Sequence, residues 1–304
     1  MPRVDARVSI GSDLVVRPLR PEDLETVFQL VVAAQQHDIG EVEVDRDDLL
    51  TDWALPTFDI HRDTVGVWSG EEIVAWAELI LRERAEVDVA PGWRGRGIGT
   101  WVREWTERRA AEKGWELVAQ VVPESNTAAR DLFSAAGYRV AYTSWILRIE
   151  HDAEPPFPVV PDGIAIREFR REDEHEVYRL FEDAFNEWPG RQPQPFEEWT
   201  AITTRRADFR GELFALAVDG DEIVGGAMTF PFAGEGWIDK VAVKATHRNR
   251  GIARALIQHS FCEAWHRGAR MSGLSTDSRT GALSLYEKVG MAVHRAYASY
   301  AKDL

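Results

Sequence analysis

Cysteine is almost absent: Cys262 is the single one in 304 residues. One thiol excludes an internal disulfide and fits a reducing cytoplasm. Its place beside Phe261 in an apolar helical run points to a packed thiol over a nucleophile. Long apolar runs are missing too, and none approaches the roughly 20 residues that a membrane-spanning helix needs. Met1–Asp13 has no hydrophobic core, so no secretory signal is expected there. Positive charge is in deficit: 36 Lys and Arg stand against 51 Asp and Glu, a net charge of −15. That balance argues against a nucleic-acid backbone as main partner and suits cationic substrates, although solubility alone would account for it equally.

What is present is ordinary in kind, with 44% apolar and 29% charged residues, as in a soluble globular protein. The length suits two ordinary domains or one large one. The informative stretch is Lys240–Gly268. Val241 and Val243 alternate as a strand does, and from Ile252 onward apolar residues recur at helical spacing through Leu256, Ile257, Phe261 and Trp265. Between strand and helix lies Arg248-Asn249-Arg250-Gly251-Ile252-Ala253. A helix start leaves N–H groups unpaired and carries partial positive charge, so this junction reads as a pyrophosphate cradle. Gly251 lets an anion approach the backbone, and Arg248 and Arg250 add charge.

The stretch has a counterpart. Arg94-Gly95-Arg96-Gly97-Ile98-Gly99 lies 154 positions earlier, after a strand predicted at Glu86–Val89 and before a helix predicted at Ile98–Lys113. Arg17, Arg20 and Asp23 recur as Arg167, Arg170 and Asp173, and the turn Gly70–Val74 recurs as Gly220–Val224, both 150 positions on. Ala128–Tyr138 matches Gly281–Met291, 153 positions on. Matches at three similar offsets, all in one order, indicate a tandem repeat. The seam is Asp152–Asp162, whose four prolines disfavour helix and sheet pairing. The domains are therefore expected near 1–152 and 160–304, each able to hold its own core. Trp101, Trp105 and Trp265 fall on apolar helix faces and are expected in the cores.

The motif Arg/Gln-x-x-Gly-x-Gly/Ala after a strand resembles the acetyl-CoA signature of the GCN5-related N-acetyltransferases, the GNAT family, and nearly the whole chain takes part in the resemblance. It implies a mixed α/β sheet in each half, hence two tandem GNAT domains, with the signature strand splayed from its neighbour to leave a slot for acetyl-CoA. Carried over, the backbones of Arg248, Asn249, Arg250, Gly251, Ile252 and Ala253, and of Arg94, Gly95, Arg96, Gly97, Ile98 and Gly99, would hold the CoA pyrophosphate. Val241, Val243, Val87 and Val89 would pair with the pantetheine arm as with an added strand. Asn126 matches a cofactor-contacting Asn of the family, and Arg279 stands at the equivalent place in the second half.

The resemblance also implies a general acid, Tyr286, in Leu285-Tyr286-Glu287-Lys288-Val289-Gly290, whereas the first half has Phe133 there, with no proton to give. The second half is thus expected to do chemistry, and the first to be structural or to bind CoA without turnover. Tyr286 as a packing residue with an incidental hydroxyl stays open. The Val243 N–H would stabilise negative charge on the reacting carbonyl. Asp239 is a weak candidate base; Glu235 and Asp277 read as solvated or structural carboxylates, and His247 as packing beside the cradle. No metal is assigned. Substrate selection would fall to Phe185–Trp199, either as an aromatic, acidic rim for a small-molecule amine or as a loop clasping the other half. The resulting expectation is acetyl transfer from acetyl-CoA to a primary amine. The rival is a non-catalytic acyl-CoA sensor.

Overall fold

The computed structural model describes residues 11, 13–80, 83–188, 191–232 and 234–304. The expectation for Met1–Asp13 therefore lies outside the described residues save Gly11 and Asp13, as do Pro189 and Gly190 of the loop at 185–199. In chain order the first repeat gives β1 (Leu14–Arg17), α1 (Leu24–Ile39), α2 (Arg46–Trp53), α3 (Ile60–Asp63), β2 (Thr64–Ser69), β3 (Glu72–Ile80), β4 (Arg84–Val89), α4 (Ile98–Glu112), β5 (Leu117–Pro123), α5 (Thr127–Ala135) and β6 (Arg139–Glu150). The second gives β7 (Ile164–Glu168), α6 (Glu174–Phe185), α7 (Phe196–Ala201), β8 (Phe214–Asp219), β9 (Glu222–Phe232), β10 (Glu235–Val243), α8 (Ile252–His266), β11 (Met271–Asp277), α9 (Leu283–Lys288) and β12 (Ala292–Asp303). No helix among the described residues is long and apolar enough to cross a membrane.

Compactness divides the chain differently from the repeat. One unit comprises Met1–Ala141 with Tyr297–Leu304, the other Tyr142–Ala296. In the first unit the strand order is β1-β2-β3-β4-β5-β12, and in the second β7-β8-β9-β10-β11-β6. Both sheets are mixed, antiparallel except at β4–β5 and β10–β11. The sixth strand of the first unit is Tyr297–Asp303, paired to β5, and that of the second is Ser144–Glu150, paired to β11. Strand pairing is backbone chemistry, so the proline seam does not dictate which sheet a closing strand joins.

Within each unit helices cover both faces of the sheet. Ile98, Trp101 and Val102 of α4 pack on Val65, Val67, Val74, Ala75 and Ala77, while Leu24, Val27, Leu30 and Val31 of α1 cover Trp68, Ile73 and Trp76. In the second unit α8 lies on Ala215, Ala217, Val224 and Ala227, and α6 on Phe214, Leu216, Met228 and Phe230. A Cβ at Gly236 would stand 2.4 Å from the Ala264 Cβ, so glycine there lets α8 close on β10. Trp101 is buried as expected. Trp265, in the last turn of α8, is instead half-buried, with the Arg270 guanidinium 3.7 Å from its ring centre.

The Arg-x-x-Arg-x-x-Asp phrase builds the same cap twice. Arg167 donates to both oxygens of Asp173 at 2.7 and 2.8 Å while the Arg170 N–H donates at 2.7 Å, and Arg17, Asp23 and the Arg20 N–H repeat this at 2.7, 2.8 and 2.8 Å. Each carboxylate sits below its ordinary value, first because the arginine hydrogen-bonds it, against the opposing effect of burial. A lowered pKa means that the cap stabilises above the unfolded value of about 4 and is lost as pH falls through the lowered one. Asp173→Ala is expected to cost about 2 kcal/mol, read as a lower urea midpoint at pH 7, with the deficit shrinking toward pH 2. An unchanged midpoint would overturn this account of the helix start.

Candidate functional site

The site begins where two parallel strands part. β10 pairs with β11 from Glu235–Met271 to Ile238–Leu274 and no further. In the first unit, among the described residues, a single pair, Arg84–Ala119, joins β4 to β5. Asp239 sits at a register shift between Ile238 and Lys240, and such an extra residue bends and twists its strand. The Lys244 N–H donates to Val224 O at 2.9 Å, so by alternation the N–H groups of Val241 and Val243 point to the opposite edge, the opening slot. The Ala90 N–H donates to Val74 O at 2.9 Å and turns Val87 and Val89 the same way.

Beyond the slot strand the backbone curls into a nest. Asn249 and Gly251 have φ of 61° and 87°, and Gly95 and Gly97 have 74° and 81°. Left-handed residues alternating with right-handed ones turn successive amides toward one point. The first α-helical bonds are Ala255 N–H to Gly251 O at 3.0 Å and Trp101 N–H to Gly97 O at 3.1 Å, and neither helix has a side-chain cap. The amides of Ile252, Ala253 and Arg254, and of Ile98, Gly99 and Thr100, thus have no acceptor in their own helix. A free strand edge leading to uncapped amides fits an elongated ligand that ends in phosphates.

The signature arginines do other work. Arg248 donates through Nε to Val243 O at 3.0 Å and through its two terminal nitrogens to Glu187 at 2.6 and 2.9 Å. Arg94 does the same to Val89 O at 3.0 Å and to both oxygens of Asp38. Each arginine therefore struts the end of its slot strand against the C-terminal end of α1 or α6, with its charge already paired. Asn126 also turns to this strut: its Nδ2 donates to Asp38 at 2.9 Å and its Oδ1 accepts from the Ala129 N–H at 3.0 Å. Arg279 pairs with Asp277 at 2.7 Å and lies 3.6 Å from the centre of the Tyr142 ring. Sequence reasoning missed Asp38 and Glu187, although two carboxylates 149 positions apart at the C-terminal ends of matched helices were a usable signal.

Tyr286 is half-buried on α9 against Ile238, Leu274, Ile257 and Leu147, beside the last paired residues of β10 and β11. Burial pushes its phenol up to about 12, a Thr276 hydrogen bond acting the other way. Phe133 is buried, edge-on to Tyr138 at 4.9 Å and stacked with Tyr300 at 5.6 Å. Asp239 is exposed and ion-paired with Lys240. Glu235 is buried and paired with Arg148 at 3.0 Å, and His247 lies 3.4 Å from Asp219. Burial pushes the Cys262 thiol up, and it points to Pro155 O at 3.5 Å. In the segment 185–199, Arg191 is salt-bridged to Glu182 of α6, Gln194 N–H donates to Glu182 at 2.8 Å, and Trp199 is buried. The loop is thereby pinned to the helix that precedes it.

With this geometry the chain can be set beside known proteins. The profile of the Acetyltransferase (GNAT) family matches residues 25–138 and 174–291. The chain is 29% identical over 303 residues to a mycothiol acetyltransferase of Amycolatopsis mediterranei, covering 93% of this chain and 97% of that one. A GCN5-related N-acetyltransferase from Sphaerobacter thermophilus superposes with a TM-score of 0.80 at 34% identity, over 96% of each chain. A tandem GNAT protein from the clavulanic acid biosynthesis pathway shares the fold, with a TM-score of 0.74 at 16% identity over 95% and 98% of the two chains. Two family matches in one chain, each containing a slot strand and an uncapped anion loop, make this protein a tandem member of the GNAT family of acetyltransferases.

Proposed function

We propose that the protein transfers an acetyl group from acetyl-CoA to the primary amine of a small molecule, with the chemistry in the second repeat. The observation that carries this is Tyr286, a phenol held at the fork of β10 and β11. Bound acetyl-CoA supplies an activated acyl group and a thiolate leaving group. The backbone edge at Val241 and Val243 aligns the pantetheine arm. The nest at Asn249–Ala253 takes the pyrophosphate. The Val243 N–H donates into the slot where negative charge develops. Tyr286, protonated at neutral pH as a phenol ordinarily is and held the more firmly so by burial, gives its proton to the departing sulfur. Asp239 or a water chain takes the proton from the amine; its exposure and its pairing with Lys240 make it the weaker assignment. Positioning of the two reactants supplies much of the acceleration.

The mycothiol acetyltransferase relatives make a cysteinyl-sugar amine the first acceptor to assay. The first repeat binds CoA without turnover on this reading, because its loop repeats the nest while Phe133 fills the acid position. A cytoplasmic setting accords with the buried, unreactive Cys262. The sensor reading, in which both repeats hold cofactor without turnover, draws on Phe133 and Arg279, and Tyr286 stands against it.

Two measurements test the proposal. CoA release with a cysteinyl-sugar, aminoglycosides, polyamines and amino acids should appear for one amine class. In Tyr286→Phe, kcat with that amine should fall about 100-fold, the low end for acid–base groups since a thiolate leaves readily; an unchanged kcat removes Tyr286 from the chemistry. Separately, Arg248→Lys should raise the KM for acetyl-CoA about tenfold, nearly as much as Arg248→Ala, because a lysine cannot bridge Glu187 and Val243 O together. A lysine variant with native KM would return Arg248 to the role of a plain phosphate-binding charge.

A further inference from the structure

The repeats differ by a phenol, and a second hydroxyl changes with it. β5 and β11 are both seven residues long, Leu117–Pro123 and Met271–Asp277. β5 buries Val118, Gln120 and Val122, and β11 buries Ser272, Leu274 and Thr276 on the matching face. Counted from either strand end, Thr276 stands where Val122 does. In the first unit Val122 and Phe133 lie in one apolar cluster. In the second, Leu274 packs with Tyr286, and Thr276 is the next residue on that face of β11. Threonine beside tyrosine thus replaces valine beside phenylalanine.

The chain after β11 adds a third hydroxyl. An offset of 153 (280 − 127) brings Thr127 onto Thr280. Yet α5 begins at Thr127, capped by Asn126, whereas α9 begins only at Leu283, and Gly281 has φ of 64°. Thr280 therefore sits in a turn, where its hydroxyl reaches back to the strand. Its Oγ1 lies 2.9 Å from Thr276 Oγ1 and 2.9 Å from Asp277 O, and accepts from the Ala282 N–H at 3.1 Å. A threonine has one O–H to give. Given to Asp277 O, it lets the Thr276 O–H point to Thr280 and away from the phenol. Given to Thr276 Oγ1, it leaves the Thr276 O–H as a donor toward Tyr286 Oη, and the phenol keeps its own proton for the slot. The two arrangements differ only by rotation of hydroxyl groups.

We propose that Thr276 is a positioning residue for acetyl transfer: backed by Thr280, its O–H donates to Tyr286 Oη, turns the phenol's proton into the slot and stabilises the phenolate that forms. This rests on the reading of Tyr286 as the general acid. The Tyr286 O–H bond breaks, its proton goes to the departing sulfur, and the electron pair stays on Oη until water returns a proton. A buried oxyanion without a donor is costly. Burial alone raises this phenol, and the Thr276 hydrogen bond acts against that rise. A more acidic phenol gives up its proton more readily, so the effect runs in the direction catalysis needs. Phe133 develops no charge, and Val122 beside it has no donor to offer.

A double-mutant cycle on the full chain tests this, reading kcat and the KM for acetyl-CoA with the amine that supports CoA release. Thr276→Val copies the pairing of the first unit, so the packing should survive; Thr276→Ala stands in if it does not. In Thr276→Val, kcat should fall about tenfold, the size of one hydrogen bond to a charged group, with KM unchanged. Thr276→Ser should restore it. In a Tyr286→Phe background, Thr276→Val should change kcat by less than about twofold, because a residue acting through the phenol has nothing left to act on; a packing role would add its own loss. Without turnover, the carbon-13 signal of the ring carbon bearing the Tyr286 hydroxyl, assigned by its loss in Tyr286→Phe, should move in Thr276→Val and return in Thr276→Ser. Parent kcat in Thr276→Val beside a slowed Tyr286→Phe, additive losses in the double variant, or an unmoved ring-carbon signal would each overturn the inference and leave the acid assignment standing. Parent kcat in Tyr286→Phe would overturn both.

Discussion

Everything in the second unit is arranged around two parallel strands that stop pairing. After Ile238 and Leu274, β10 bends away from β11, and the bulge at Asp239 lies at the parting. A strand leaving its neighbour exposes unsatisfied amides and carbonyls, and something must hold it in that position. Three contacts do so. Glycine at 236 lets α8 lie directly on the strand, antiparallel pairing to β9 holds the other edge, and Arg248 ties the Val243 carbonyl to Glu187. The free edge is then fixed in place before any ligand arrives, which is the form of preorganisation that reduces the cost of binding.

The first unit repeats this frame nearly atom for atom while changing what faces it. Arg94 with Asp38 stands where Arg248 has Glu187, and the left-handed positions of the two nests coincide. Conformation follows from glycine placement and strand register, which both repeats keep. Chemistry follows from side chains, and here they part: Phe133 is sealed among Tyr138 and Tyr300 where Tyr286 lies half-buried at the fork. A duplicated frame can carry phenylalanine in one copy and tyrosine in the other without unfolding, because an aromatic ring of the same size keeps the packing.

The same logic applies to the buried charges. Glu182 with Arg191 fastens a loop to α6, and Glu235 with Arg148 sits at the start of the slot strand. Both pairs are nearly dry, so breaking one leaves an uncompensated charge, and both hold backbone segments close to the site. Glu78 is the exception among them, held by an indole and by no arginine or lysine among the described residues. Among the described residues, the buried carboxylates thus resolve into structural pairs and one group held by an indole.

How far the sequence alone reached follows from the range of each interaction. The repeat, the hairpin glycines at 70 and 220, the paired Arg–Asp helix starts, and the left-handed turns before α4 and α8 were all legible, since each rests on contacts a few residues apart or on backbone angles that glycine admits. The difference between Phe133 and Tyr286 was legible because the two segments match residue for residue. Only the tertiary structure decided which sheet each closing strand joined, since backbone pairing is indifferent to the seam. It also decided what the side chains of Arg94, Arg248 and Asn126 pair with, because their carboxylates come from 56, 61 and 88 residues away. An arginine written beside a phosphate loop can face the phosphate or a carboxylate with equal ease, and the fold chooses by what it brings within reach. The meeting of Glu78 and Trp53 across 25 residues was decided in the same way.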